Sequence, residues 1–328
     1  MKANTHIYAK ITAIGGFVPE SKRTNQELAE ICDTSDEWIV KRTGIKERRI
    51  LDQNLASSDM GVEAIRNLFD KYNKEIDEID ALIVATSTPD MLMPSTANII
   101  CEKLQLKNVW AFDVNAACSG FLYALNIASG LIESNRYHKI LVVASDNISA
   151  FVDLNDRSTN ILFGDGAGAV LLEADEENGI YDSILRSNGE GKEFLNIEGG
   201  GSQFPNSSEN LEKHFIRQDG KIVFKKAVNA MSETCSEILE RNQLQPKDIQ
   251  WMIPHQANKR IIDAVGQAIG LEESQTLVNI EKYGNTIAAT IPLCMWENVE
   301  KFKKDDVILL TAFGAGFSWG ATLLKWGL

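Results

Sequence analysis

The amino-acid sequence predicts an α/β protein made of two duplicated βαβαβ-type halves, residues 1–175 and 176–328. Three observations carry this expectation. Apolar runs of strand length alternate with helical periodicity through the first half, the grammar of a largely parallel sheet covered by helices. The same alternation returns after residue 249. Two glycine-rich turns, Phe163-Gly164-x-Gly166 and Phe313-Gly314-x-Gly316, match each other, and each feeds an apolar strand.

Taken in order, residues 6–14 alternate as a strand ending at Gly15 and Gly16, and Asn25 caps a short helix written NQELAEIC. Residues 34–45 are polar at their edges with Trp38 in the middle, either a contact surface or plain packing. Ser57–Tyr72 sets Met60, Ala64, Ile65, Leu68, Phe69 and Tyr72 at helical spacing; an apolar strand at 81–85 and a helix at 95–104 follow. In VWAFDVNAACSGFLYAL, residues 109–125, a strand runs into small residues and then into an apolar helix. Residues 190–211, with Gly199-Gly200-Gly201, read as a solvated loop or flap. The second half places a strand at 249–253 entering PHQAN, a helix at 258–269, a strand at 277–280 entering KYGNT, and a strand at 307–312 leading to FGAGFSWGATLL. Matching strand-to-helix junctions sets Cys118 opposite Asn285 and Thr86-Ser87-Thr88 near His255. Loops from corresponding strand ends should then share one pocket, where open α/β sheets hold their ligands.

Composition narrows the class. At 328 residues with 44% hydrophobic content the chain can bury a sizeable core. Its five cysteines are scattered and never in a C-x-x-C pair, which reads as reduced thiols. No apolar run approaches the ~18 to 20 residues of a membrane span, and residues 1–16 lack the apolar core of a signal peptide. The expectation is a cytoplasmic protein that binds no membrane. A net charge of −13 argues against nucleic acid as a partner, and an acidic protein partner would need a local basic patch. Lys225, Lys226, Lys259 and Arg260 could supply one.

Cys118 stands at a helix start, where unpaired N–H groups and the helix dipole favour thiolate. Ala116, Ala117, Ser119 and Gly120 leave room for a substrate, although a buried structural thiol would fit the same stretch. A thiol, an imidazole and a carboxamide can cooperate in two ways. As a Cys-His-Asn triad, histidine deprotonates cysteine and asparagine orients histidine. Alternatively, cysteine carries an acyl group while His255 and Asn285 donate hydrogen bonds to a thioester carbonyl, the arrangement that suits decarboxylation of a malonyl thioester. Cys118 lacks the Cys-Gly-Ser/Ala-Cys-Trp/Tyr surroundings of papain-type sites, which favours the second.

Together, TSDEWIVKRTGIKERRI, NAACSGFLYAL, DRSTNILFGDGAGAVLLE, PHQAN, YGNT and AFGAGFSWG resemble the β-ketoacyl-acyl-carrier-protein synthase III family, in its order and at its spacing over essentially the whole chain. The resemblance implies a thiolase-like fold, layered α-β-α-β-α, in a homodimeric acyltransferase. Its reaction would condense an acyl-CoA primer with malonyl-acyl-carrier protein, and coenzyme A would enter as thioester substrate with no further cofactor. A relative joining acyl groups to a different acceptor in secondary metabolism is the alternative. Residue by residue, the resemblance makes Cys118 the acylated nucleophile and His255 with Asn285 the donors to the malonyl carbonyl. Elongating synthases of this fold have a second histidine in place of that asparagine. The backbone N–H groups of Cys118 and Ala315 would form the oxyanion hole, with alanine where the family usually has glycine. Trp38 and Arg42, assisted by Arg157, would hold the adenine end of coenzyme A. Gly220 and Asn258 would line the pantetheine tunnel, and Phe224 and Phe313 its apolar end. Met93 would close the acyl pocket from the partner subunit, and Ile287 and Thr290 replace smaller residues. Lys259, Arg260 and Lys225 would meet the acidic carrier protein.

Overall fold

A computed structural model describes residues 6–328. Residues 1–5, part of the stretch read as lacking a signal-peptide core, lie outside the described residues. The framework is nine strands, β1 (Tyr8–Phe17), β2 (Ala81–Ala85), β3 (Trp110–Val114), β4 (Lys139–Asp146), β5 (Gly166–Asp175), β6 (Ile180–Ser187), β7 (Trp251–Pro254), β8 (Val307–Gly314) and β9 (Ser318–Lys325). They are hydrogen-bonded in the order β7-β8-β9-β6-β1-β5-β4-β2-β3. The two parts meet at β1 and β6, through the single pair Ala9↔Ile180.

The duplication is visible in the pairing. In the first half β3, β2 and β4 are parallel neighbours, followed by antiparallel β5 and β1. In the second, a bridge at Thr276 and then β7 and β8 are parallel, followed by antiparallel β9 and β6. Order and sense agree at every step. The helices Gly120–Glu133 and Thr290–Glu297 are largely buried; the first touches strands of both halves and the second β1, β5 and β7. Outside them lie Ser57–Tyr72 with Thr96–Lys103 on one side and Gly220–Arg241 with Lys259–Ala268 on the other, giving the layered α-β-α-β-α arrangement of a thiolase-like fold. No helix among the described residues is long and apolar enough to cross a membrane.

Several boundaries differ from the expectation. β1 continues through Gly15 and Gly16 because its ladder with β5 runs to Phe17↔Ala167. The first helix is capped by Thr24 in a capping box with Glu27. Asn25 lies just inside that helix, where its amide donates to Ile45 O and Asp36 Oδ1. Residues 277–280 do not form the expected strand. The Gln256 side chain bonds Leu277 O and Asn279 N–H, and the chain turns into Ile280–Tyr283. The loop at 190–211 is only partly a solvated flap, since Leu195–Asn196 pairs with Arg217–Gln218 beside the site.

The register between halves also shifts. Ala117 (φ 47°) and Ile287 (φ 52°) each begin a short 3-10 turn leading into a central helix. Cys118 therefore corresponds to Ala288, and Asn285 to Asn115. Both asparagines accept from the N–H two residues on, that of Ile287 at 2.9 Å and that of Ala117 at 3.3 Å. His255 corresponds to Ala85, not Thr86: Ala85 pairs with Ala144 two residues before the strand end Asp146, and His255, next after the pair Pro254↔Thr311, sits two residues before the strand end Gly314, while the N–H of Thr86 turns the other way, to Val114 O.

Candidate active site

Cys118 is buried in the turn Ala117–Ser119, immediately before the helix Gly120–Glu133. The expected pull toward thiolate is outweighed there. Burial, and secondarily the carboxyl group of Asp146, push the thiol up to about 12, while its own backbone N–H pulls the other way. The sulfur rests as a thiol. Asp146 is fully buried and itself pushed up to about 7 by burial, against hydrogen bonds from Ser87 N–H, Ala288 N–H and the hydroxyls of Thr88 and Thr86. Sequence reasoning missed it. A charged residue ending the apolar strand KILVVASD was the available signal.

His255 follows its strand directly, with its backbone N–H on Thr311 O and its ring buried. Burial pushes the imidazole down to about 3, so it is neutral under ordinary conditions. Its Nδ1 lies 2.7 Å from Thr290 Oγ1. Asn285 is held by the first half of the chain: Asn285 N–H donates to Leu162 O and its carbonyl accepts from Gly164 N–H. Gly284 makes that approach possible with φ 66°, and a Cβ there would lie 2.6 Å from Leu162 O. Because Asn285 Oδ1 accepts from Ile287 N–H, its Nδ2 is the atom left to act, and it is a donor only. Asn285 thus does not orient His255, as a Cys-His-Asn triad requires.

Cys118, His255 and Asn285 line one cavity of about 1210 Å³. Trp38, Arg42, Gly220, Phe224, Asn258, Arg260, Phe313 and Ala315 line it as well. Ala315 takes an ordinary φ, the positive value falling on Gly316, so alanine's Cβ does not disturb the N–H assigned to the oxyanion hole. Two guanidinium groups lie within cation–π reach of the Trp38 ring, Arg157 at 4.9 Å and Arg42 at 5.6 Å from its centroid. Asn258 caps the helix Lys259–Ala268 and donates to Arg42 O at 3.1 Å, joining that helix to the segment that carries Trp38 and Arg42. Arg260 lies 5.2 Å over Phe224.

Four expected residues stand apart from the cavity wall. Arg157 reaches the site only through Trp38 and donates to Asp33 O. Lys259 is paired with Asp263 at 2.7 Å, a helical i,i+4 pair that takes up its charge. Lys225 is exposed on the helix Gly220–Arg241. Met93 does not line its own chain's cavity and is 84% exposed, beside Leu92 at 83%. Two basic residues that sequence reasoning passed over, Arg217 and Lys221, line the cavity instead.

Residues 112–189 match the sequence profile of 3-oxoacyl-[acyl-carrier-protein] synthase III, and residues 239–326 that of its C-terminal region. The chain is 49% identical to a Porphyromonas gingivalis β-ketoacyl-[acyl-carrier-protein] synthase III, over 98% of this chain and 97% of that one. It is equally similar, 49% with the same coverages, to a β-ketoacyl-[acyl-carrier-protein] synthase III 1 of Bacteroides thetaiotaomicron. Among solved structures it superposes on 3-oxoacyl-[acyl-carrier-protein] synthase III from Aquifex aeolicus with TM-score 0.90 and 41% identity, covering 97% of this chain and all of that one.

Proposed function

This chain belongs to the 3-oxoacyl-[acyl-carrier-protein] synthase III family, and from that premise we propose that Cys118, His255 and Asn285 carry out its decarboxylative condensation. The enzyme joins an acyl-CoA primer to malonyl-acyl-carrier protein, releasing CoA and CO2 and starting fatty-acid synthesis. The observation that carries the assignment is the convergence of a thiol, a neutral imidazole and an amide donor on one cavity from loops of both halves.

In the first half-reaction the Cys118 sulfur attacks the primer's thioester carbonyl. The bond to the CoA sulfur breaks, and the thiol proton leaves on CoA. The N–H groups of Cys118 and Ala315 receive the developing oxyanion. In the second, His255 and Asn285 donate to the malonyl carbonyl as the carbon–carboxylate bond breaks. The resulting enolate carbon attacks the acyl-cysteine, whose carbon–sulfur bond then cleaves, and the released sulfur takes a proton from water to return to the resting thiol. Neutral donors suit this step, because an imidazolium would favour the ground-state carboxylate as well as the transition state. Trp38, Arg42 and Arg157 supply an aromatic face and positive charge for the nucleotide end of CoA. Arg260 offers the carrier protein positive charge at the cavity, with Lys225 further out and Lys259 held in its pair with Asp263. Met93 belongs to the acyl pocket of a partner subunit in a homodimer, a reading supported by its exposure.

Intact-mass spectrometry after mixing the protein with a panel of acyl-CoA thioesters tests the scheme. An acyl mass gain that disappears in Cys118→Ala is expected, followed by β-ketoacyl product on adding malonyl-carrier protein. Acylation without that product would move the chain to a different acceptor, and acylation surviving Cys118→Ala would remove the nucleophile.

A further inference from the structure

We propose that Thr290 is a positioning residue that fixes the His255 tautomer: its hydroxyl donates to Nδ1, so the ring proton sits on Nε2 as a donor into the cavity. This rests on the condensing reading and deepens it. Thr290 opens the helix Thr290–Glu297 and is buried, with Oγ1 2.7 Å from His255 Nδ1 and 3.1 Å from Ile287 O.

One hydroxyl has one proton to give. Directed at Ile287 O, it would oblige Nδ1 to carry the ring proton and donate to Oγ1, leaving Nε2 a bare lone pair. Directed at Nδ1, it makes Nε2–H. The two contacts accept either direction of that proton, so the choice falls to the other ring nitrogen. Nε2 is buried without a hydrogen-bond partner among the described residues, and a substrate carbonyl would satisfy it only if it carries a proton.

The neighbouring amide points the same way. Ile287 N–H holds Asn285 Oδ1, which leaves Nδ2 as a donor to the same cavity. A lone pair on Nε2 beside that donor would repel the carbonyl oxygen the amide attracts; an Nε2–H adds to it. A single turn therefore sets both donors, Ile287 through its N–H and Thr290 through its O–H. It follows that His255 in this tautomer does not receive the Cys118 proton at Nε2, so Thr290 serves decarboxylation far more than acylation.

The test uses the full chain labelled with 15N-histidine. The protein has four histidines, and the His255 signals are those lost in His255→Ala. The wild type is expected to show a protonated Nε2 and an unprotonated Nδ1. Thr290→Val, which removes the hydroxyl at nearly constant size, should lose that preference. It should also slow decarboxylation of malonyl-carrier protein about tenfold in kcat with little change in KM, while acylation falls less than about threefold. Thr290→Ser should restore both. A wild-type ring protonated on Nδ1 overturns the proposal. So does a valine variant with unchanged tautomer, or one that loses both half-reactions equally. Should the valine variant not fold, the wild-type and serine spectra decide. A chain that never decarboxylates malonyl thioesters would defeat the condensing reading, while the ring spectra still report the tautomer.

Discussion

Asp146 and Gly314 end corresponding strands, β4 and β8, and the difference between them separates the two halves chemically. Asp146 Oδ2 accepts the N–H of Ala288 at 3.1 Å, and Ala288 is the counterpart of Cys118. At the matching place Gly314 has no side chain, and a Cβ there would lie 2.7 Å from Cys118 N. One half thus covers this N–H with a carboxyl group, and the other keeps the space beside it open. Gly314→Ala is expected to cut acylation of Cys118 at least about a hundredfold, the scale of a lost oxyanion donor, read by the rate of acyl mass gain. Asp146 also yields a pH dependence. Its folded pKa of about 7 exceeds that of an unfolded carboxyl, ~4, so its contribution to stability is present below pH 4 and lost as pH rises through 7. His255, pushed down to about 3, acts oppositely: its contribution is present above about 6.5 and lost on acidification. The Asp146 share is therefore the difference between wild type and Asp146→Asn. Urea unfolding should show that this difference favours the wild type less at pH 8 than at pH 5, by on the order of 1 to 4 kcal/mol. A constant difference would place the buried ionisation elsewhere.

Among elements, the helix Lys259–Ala268 shows how much a motif displays in advance. PHQAN announced a strand end, a histidine and a helix beginning at Asn258, which the structure makes the cap of Lys259–Ala268, because helix starts are written in neighbouring residues. It did not show that Lys259 is spent on Asp263 while Arg260 reaches the cavity, since one residue of helical rotation separates them. Charge reversal should expose that difference. Arg260→Glu is expected to raise KM for malonyl-carrier protein about tenfold with acylation from acyl-CoA nearly unchanged, whereas Lys259→Glu should shift the same KM less than about threefold. Equal effects in steady-state assays would contradict the division. The segment 277–280 taught the converse lesson: its apolar pattern suits a strand, yet the side chain of Gln256 takes the bonds a continuing strand would need.

Over the whole molecule, the exposed run Met91, Leu92 and Met93 is an apolar patch on an otherwise strongly acidic chain. As part of a homodimer interface it would be covered, and Met93 would enter the neighbouring acyl pocket. Sedimentation of the double variant Leu92→Glu/Met93→Glu should show a shift from dimer to monomer. Acylation should weaken with it, because each pocket would lose the wall its partner provides. A variant that stays dimeric with unaltered primer preference would count against this placement.

The sequence by itself determined the α/β class and the repeated strand-and-turn grammar, and it singled out the cysteine, histidine and asparagine, because hydrophobic period, glycine turns and helix starts are written in contiguous residues. Tertiary structure alone decided which atoms of those groups are free to act. The Leu162 and Gly164 backbone holds Asn285, Thr290 meets His255, and burial in the surrounding core, with Asp146 second, keeps Cys118 a thiol. Hydrogen-bond partners and desolvation depend on groups far apart in the chain, so neither could be read until the two halves had docked.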